Sequence, residues 1–276
     1  MRSEDIETIR QFVHARSGVV IDPTKTYSIE TRLAPVARRE GFASIDDLIQ
    51  AIRERREERL IWAAAEALVA GESSFFRDHA PFEAFRDEIL PALAQSRQGR
   101  PIKVWSAACG TGQEPYSLAM ILDDERSKLL GVKVELFGSD ISERALEKAQ
   151  SGTYSQFEVQ RGLPIRLLVR HFDKTDESWT LNTRIRQAVR WRRINLLADL
   201  RALGQFDVIF CRNAISAFDV QTRRRVLEQL ARALPDDGWL VLGLDETVVG
   251  VTEALRAAPG RRGLYTPNPA YRAAAA

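Results

Sequence analysis

Cysteine is nearly absent from this chain: Cys109 and Cys211 are the two thiols in 276 residues. Two thiols cannot build a disulfide framework, nor a zinc site made mainly of Cys and His, and no metal is expected. Histidine is almost as scarce, with His14, His79 and His171 widely spaced. A Ser–His–Asp hydrolase could use one of them, but no G-x-S-x-G elbow accompanies it. Long apolar runs are missing too. Ile61-Trp62-Ala63-Ala64-Ala65 falls far short of the ~18 residues of a membrane span. Nor is there an excess of one charge: 40 basic against 38 acidic residues give +2, which argues against a generally basic nucleic-acid binder. Met1-Arg2-Ser3-Glu4-Asp5 lacks the apolar core of a signal peptide, so the expected compartment is the cytoplasm.

What is present is ordinary globular material, 45% hydrophobic and 28% charged, enough for one large or two modest domains. Up to about residue 95 the pattern is helical. Ser3 is placed to cap a helix carrying Ile6, Ile9, Phe12 and Val13, stopped by Gly18. A second helix is expected over 24–40, with Pro35 inside it and Gly41 after it. Ser44-Ile45-Asp46-Asp47 reads as a capping box, 60–70 as an Ala-rich helix, and Pro81 as a helix start ahead of Phe82, Phe85 and Ile89. After the polar break Ser96-Arg97-Gln98-Gly99-Arg100-Pro101, strands alternate with helices. Strands are expected over 102–107, 132–138, 206–211, 239–244 and 262–266, and helices over 113–123, from Ser142, and over 219–234. This alternation indicates a parallel α/β sheet. Residues 151–189 interrupt the rhythm, being polar, irregular and β-leaning, and read as an insertion. Between Arg161 and Arg193 there are nine basic residues and three acidic ones, Asp173, Asp176 and Glu177. Residues 273–276 read as a frayed tail.

Four segments carry chemistry. In Val104-Trp105-Ser106-Ala107-Ala108-Cys109-Gly110-Thr111-Gly112 a glycine turn follows the first strand, where backbone approaches a ligand and the next helix offers free N–H groups. A dinucleotide fingerprint wants a third glycine where Pro115 stands. Glu114 beside the turn repels a pyrophosphate but suits an ammonium or sulfonium, which favours S-adenosylmethionine. Asp140, 28 residues beyond Gly112, ends the second strand and can accept from both ribose hydroxyls; equally, it can cap the following helix. Phe206-Asp207-Val208-Ile209-Phe210-Cys211-Arg212-Asn213 ends in polar residues at the carboxyl edge of a sheet, with Cys211 read as a small buried residue. Gly71-Glu72-Ser73-Ser74-Phe75-Phe76-Arg77-Asp78 sets the forked cation of Arg77 beside paired phenylalanines.

Together these segments resemble the CheR family of chemotaxis receptor methyltransferases, which methylate glutamate side chains on chemoreceptors. Ser73-Ser74-Phe75-Phe76-Arg77, Ala107 through Ser117 with its Glu114-Pro115-Tyr116-Ser117, Ser139-Asp140-Ile141, Ile194-Asn195-Leu196-Leu197 and Ile209-Phe210-Cys211-Arg212-Asn213 match in order and spacing. The likeness extends into the helical part, with Lys25 and Arg32-Leu33. It implies an α/β fold: an all-α N-terminal domain (residues 1–75), then a class I S-adenosylmethionine-dependent, Rossmann-like methyltransferase domain (76–276) with a small antiparallel β-subdomain inserted at 151–189. It implies S-adenosylmethionine as cofactor, with S-adenosylhomocysteine as product, held by Ser73, Arg77, Glu114, Asp140, Asn195, Leu196, Arg212 and Asn213, with Arg77 as the catalytic candidate.

The family usually has Thr-Asn where Ala70-Gly71 stand, and a tyrosine near the reacting methyl group where Ala217 stands. The implied partners are cytoplasmic helices of membrane chemoreceptors, met by Lys25, Arg32, Arg38 and Arg39, and a receptor C-terminal peptide at the β-subdomain. Neither nucleic acid nor a membrane span is implied. Two other readings stay open here: a diverged binding or receptor-docking module with little turnover, supported by Gly71 and Ala217, and a methyltransferase of nucleic acid or small molecules, supported by the basic insertion.

Overall fold

The computed structural model describes residues 1–69, 71–129 and 131–271. Ala70 and the tail 273–276 lie outside the described residues. The chain divides into two compact units: Met1–Gly71 with Ser216–Arg223, and Glu72–Ile215 with the chain from Arg224 onward.

In the first unit the expected helices form as α1 (Ser3–Ser17), α2 (Thr26–Arg39), α3 (Ile45–Arg55) and α4 (Glu58–Val69). Ser3 is not the cap of α1. Arg2 holds that place, and its N–H donates to the Asp5 carboxylate (3.3 Å), because a carboxylate three residues on reaches back better than a serine already inside the helix. Gly18, at φ 74, closes the helix as read. α2 begins later than expected because Asp22 ties the Thr24 N–H (2.9 Å) and hydroxyl (2.7 Å) into a turn. α2 runs on through Pro35. Ser44 caps α3, accepting from the Asp47 N–H at 3.1 Å. Ile9, Val13, Leu33, Ile49, Ile52 and Leu60 are buried together. In the segment Ser216–Arg223, Phe218 bridges to Val19, and the Ala217 carbonyl accepts from the Val20 N–H at 2.8 Å.

The second unit starts with α5 (Ala80–Ala84), a π-helical turn Phe85–Ile89, and α6 (Leu90–Ser96). The turn lies just before Pro91, which has no N–H to continue an α-helical ladder. Then come β1 (Ile102–Ala107), α7 (Gln113–Asp124), β2 (Val134–Asp140), α8 (Glu143–Ser151), β3 (Thr153–Ser155), α9 (Gln156–Gln160), α10 (Ile165–His171), β4 (Phe172–Lys174), β5 (Ser178–Leu181), α11 (Thr183–Arg186), β6 (Val189–Arg193), β7 (Val208–Cys211), α12 (Val220–Arg232), β8 (Trp239–Leu242), β9 (Leu255–Ala257) and β10 (Leu264–Pro267). The main sheet has the order β6-β2-β1-β7-β8-β10-β9. Pairing is parallel from β6 to β8 and antiparallel at β10 and β9. The chain runs outward from β1 on one side through β2 and on the other through β7. The crevice outside the carboxyl ends of β1 and β7 is therefore a topological switch point, where open α/β sheets bind ligands.

Residues 152–188 lie between α8 and β6, and their strands form a separate antiparallel sheet of order β3-β5-β4. The segment is less irregular than the sequence suggests, since α9, α10 and α11 fill its connections. Phe75 anchors it, edge-on to Tyr154 (5.1 Å) and Phe172 (5.8 Å). Its basic excess is largely paired: Arg161 with Glu72, Arg166 and Arg170 with Asp124, and Arg184 with Asp123. Among the described residues no helix is long and apolar enough to cross a membrane.

Candidate functional site

β1 ends in buried Ser106 and Ala107, and the chain then turns through Ala108 (φ 51), Gly110 (φ 56) and Gly112 (φ 93) into α7. Gly112 is fixed by space as well as by φ. A Cβ there would lie 2.7 Å from the Ala149 Cβ and 3.0 Å from the Trp191 ring, so only glycine lets α7 start this close to its neighbours. The loop is held from β2. The Cys109 N–H donates to the Ser139 carbonyl (2.9 Å), and the Gly110 N–H donates to Asp140 Oδ2 (2.8 Å).

Asp140 is 9% exposed at the carboxyl end of β2. Its Oδ1 accepts from the Ser142 N–H at 2.9 Å. The cap of α8 is Ser142, which accepts from the Ala145 N–H at 3.2 Å, so the capping role that the sequence left open for Asp140 goes to its neighbour. Burial pushes the Asp140 carboxyl up, while the Ser142, Gly110 and Ile141 N–H groups pull it back. Each carboxylate oxygen has a second lone pair, so Asp140 can hold the glycine loop and still accept from a diol.

Glu114 stands in the first turn of α7. Its Oε1 accepts from the Ser106 hydroxyl (2.8 Å) and its Oε2 from Arg212 (3.1 Å). Burial raises its carboxyl, and Arg212 and the Ser106 bond oppose the rise. The Arg212 side chain is 1% exposed. Its second terminal nitrogen donates to the Arg77 carbonyl (2.7 Å) and to Asp78 Oδ2 (2.8 Å), and the guanidinium lies over the Phe82 ring at 5.3 Å. Its Nε is buried and has no acceptor among the described residues. One cation thus joins the carboxyl edge of β7, the start of α7 and the turn after Phe76.

That turn is strained: Phe76 (φ 48), Asp78 (φ 63) and His79 (φ 26) all lie at positive φ. The Phe76 N–H is fixed on the Ser117 hydroxyl at 3.0 Å. Arg77 projects from the turn and donates to the Glu72 carbonyl (3.0 Å). Ser73 lies against the glycine loop, its Cβ 3.5 Å from where a Cβ on Gly110 would be. Beyond β6, the Ile194 N–H donates to the Asp140 carbonyl (3.0 Å), which sets Asn195 and buried Leu196 beside β2. Asn195 Oδ1 accepts from the Leu197 N–H (3.0 Å) and Gln229 donates to the Leu196 carbonyl (3.3 Å). Asn213 follows β7 at φ 59. Ala217 belongs to the first unit's segment described above.

The structure therefore gathers Ser73, Arg77, Glu114, Asp140, Asn195, Leu196, Arg212 and Asn213 along the carboxyl edges of β1, β2, β6 and β7. Burial pushes both the Cys109 and Cys211 thiols well above their ordinary value, so neither is a thiolate nucleophile. Three residues that support these groups were not singled out in the sequence. Ser106 stood inside the first segment without a role of its own, and Trp191 had no motif to mark it. Glu246 sits in Asp245-Glu246-Thr247 just after β8, a position at the carboxyl edge that could have singled it out.

The donor set fits S-adenosylmethionine. A buried carboxylate beside a glycine loop suits ribose hydroxyls, a second carboxylate suits the amino acid's ammonium, and guanidinium donors suit its carboxylate.

Comparison with known proteins agrees. Residues 71–264 match the description "CheR methyltransferase, SAM binding domain", and residues 4–62 match "CheR methyltransferase, all-alpha domain". Chemotaxis protein methyltransferase Cher2 of Pseudomonas putida is 32% identical over 253 residues, 90% of this chain and 92% of that one. Chemotaxis protein methyltransferase 1 of Pseudomonas aeruginosa is 35% identical over 248 residues, 88% and 90% of the two chains. Chemotaxis protein methyltransferase 1 of Vibrio cholerae is 35% identical over 256 residues, 91% and 92%. The sheet order, the acid-flanked glycine loop and this likeness along the chain lead to one assignment: the chain belongs to the CheR methyltransferase family, with S-adenosylmethionine as its cofactor.

Proposed function

We propose that this protein transfers a methyl group from S-adenosylmethionine to glutamate carboxylates on chemotaxis receptors, giving methyl esters. The observation that carries the reading is the pair of carboxylates, buried Asp140 and largely buried Glu114, flanking the glycine loop at the switch point of the sheet. When bound, the cofactor supplies a methyl group already activated on a sulfonium sulfur. Asp140 accepts from its ribose hydroxyls, Leu196 gives an apolar wall with Asn195 beside it, and Glu114 balances its positive charge. Arg212 and Asn213 border the same edge, and Ser73 closes the glycine loop from the other side. A receptor glutamate has an ordinary value near 4.3 and is ionised at neutral pH, so no general base is needed. The work of the chain is alignment and exclusion of water.

The cytoplasmic helices of the receptors are the proposed partners, so the protein would act in the cytoplasm. Lys25, Arg38 and Arg39 are exposed on and beside α2. Arg32 is partly engaged, donating to the Leu68 carbonyl at 3.0 Å. In the insertion, β3 and β4 are edge strands, and an edge can take a receptor peptide as an added strand. We keep the division at residues 75 and 76 as a proposal for the two domains, with 151–189 as the inserted subdomain.

The test is transfer of radiolabelled methyl from S-adenosylmethionine to receptor-containing membranes. Esters release the label as methanol in mild base. Label that stays on the protein in base contradicts carboxylate methylation.

Asp140→Ala should weaken binding of S-adenosylhomocysteine by about 1–3 kcal/mol, through lost acceptors and an orphaned Gly110 N–H. Calorimetry on the folded variant checks it, and unchanged affinity removes Asp140 from the ribose. Arg77→Ala should cut methyl transfer at least tenfold, about 1.4 kcal/mol of barrier, without shifting thermal unfolding. Among the described residues its side chain makes one hydrogen bond, to the Glu72 carbonyl, so little structure depends on it. Wild-type turnover in that variant places Arg77 outside the site.

A further inference from the structure

We infer that Glu246 is a positioning residue: its carboxylate clamps the turn after β7 so that the Arg212–Asn213 pair faces the cofactor. The inference rests on the reading that this pair belongs to the site.

β7 and β8 run parallel, with Cys211 opposite Leu242. The chain leaves both strands at the same edge, and Glu246 lies between the two exits, 6% exposed. Its Oε2 accepts from the Asn213 N–H at 2.8 Å and from the Gly243 N–H at 2.8 Å. One oxygen with two lone pairs can accept from both N–H groups at once. Its own backbone is fixed as well. The Glu246 N–H donates to the Gly243 carbonyl (3.0 Å), and its carbonyl accepts from the Tyr265 hydroxyl (3.3 Å). The carboxylate is thus delivered to Asn213 by a turn that is already rigid.

Asn213 needs such a clamp. At φ 59 it lies in the left-handed region, which asparagine tolerates better than most residues but which still carries strain. Space enforces the same arrangement. A Cβ on Gly243 would lie 2.7 Å from Asn213 Nδ2 and 2.9 Å from Glu246 Oε2, so the three residues meet in direct contact. The effect of Glu246 on transfer passes through the backbone of Asn213.

The clamp depends on reach rather than on charge, and this separates it from a general electrostatic role. Glu246→Gln keeps an oxygen at the same distance, and that oxygen can accept from both N–H groups. Glu246→Asp keeps the charge but is one methylene short. Calorimetry with S-adenosylhomocysteine and steady-state methyl transfer should give the Gln variant within threefold of wild type. In the Asp variant affinity should fall at least tenfold, with KM for S-adenosylmethionine rising and kcat within threefold. Wild-type affinity in Glu246→Asp overturns the inference. So does a Gln variant as weak as the Asp variant. A wild-type protein that fails to bind S-adenosylhomocysteine overturns the reading of the site itself, and the inference with it.

Discussion

Arg212→Met should abolish methyl transfer and lower stability by about 3–5 kcal/mol, the cost of leaving a largely buried carboxylate without its cation. Methionine keeps most of the volume and the stem over Phe82, so the loss reports the guanidinium rather than a cavity. Two effects combine. The Arg77 carbonyl and Asp78 lose their common donor, which releases the strained turn that carries Arg77. Glu114 keeps the Ser106 hydroxyl but loses its counter-charge. Its carboxyl, already raised by burial, then rises further. An acid whose folded-state value lies above its unfolded value stays protonated longer in the folded state, so stability falls as pH rises through the ordinary carboxylate range. The deficit of Arg212→Met is therefore greatest at neutral pH and smallest in acid below about 4.3. Denaturant unfolding at several pH values measures it. Adding Glu114→Gln should restore stability without restoring cofactor affinity. A deficit that is flat with pH, or deepest in acid, contradicts the role given to Glu114.

The parts of the fold that were legible are those where burial writes a local pattern. β1 has its expected bounds because Ile102, Val104, Trp105 and Ala107 are buried in mid-sheet and a glycine turn closes the strand. β6 was not legible. Val189-Arg190-Trp191-Arg192-Arg193 carries three arginines, and as the edge strand of the sheet it needs few residues facing inward. β9, at Leu255–Ala257, is too short to show alternation. The insertion looked irregular because its helices are single turns or little more, which leave no 3.6-residue stripe.

The candidate site divides in the same way. Asp140 and Glu114 could be read as ligand groups because each stands next to a turn that sequence can locate. Their partners were invisible. The Gly110 N–H reaches Asp140 from another strand, and Arg212 reaches Glu114 across 98 positions. The register of parallel strands, rather than any local spacing, sets these distances. Glu246 shows the limit most clearly, since its side chain serves the backbone of a neighbouring strand's exit. The resemblance supplied Asn195 and Leu196, which no local pattern marked.

Arg97→Ala should destabilise the second unit by about 3–5 kcal/mol while leaving transfer by the folded fraction unchanged. Arg97 closes α6 with a side chain 3% exposed. Its Nε donates to Asp207 Oδ1 (2.6 Å), and its two terminal nitrogens donate to Asp237 (2.7 and 2.5 Å). Asp207 Oδ2 accepts in turn from the Lys103 N–H at 2.8 Å. One guanidinium therefore joins the end of α6, the start of β1, the approach to β7 and the turn before β8. All of this lies at the amino ends of the strands, about one strand length, roughly 17–20 Å, from the carboxyl edge where the site is. Alanine leaves the Asp207 carboxylate, 6% exposed, without a counter-charge, and that is the main cost. Asp237 contributes less because it is 58% exposed. Its hydrogen bond to Arg97 holds its carboxyl below the ordinary value against the effect of burial. A depressed acid stabilises the folded state above its unfolded value, and that contribution is lost as pH falls through the folded one. The gap between wild type and Arg97→Ala should therefore narrow in acid. Equilibrium unfolding and transfer kinetics must be measured together. A folded Arg97→Ala protein with altered KM or kcat would tie this cluster to the site, and one as stable as wild type would reduce it to surface decoration.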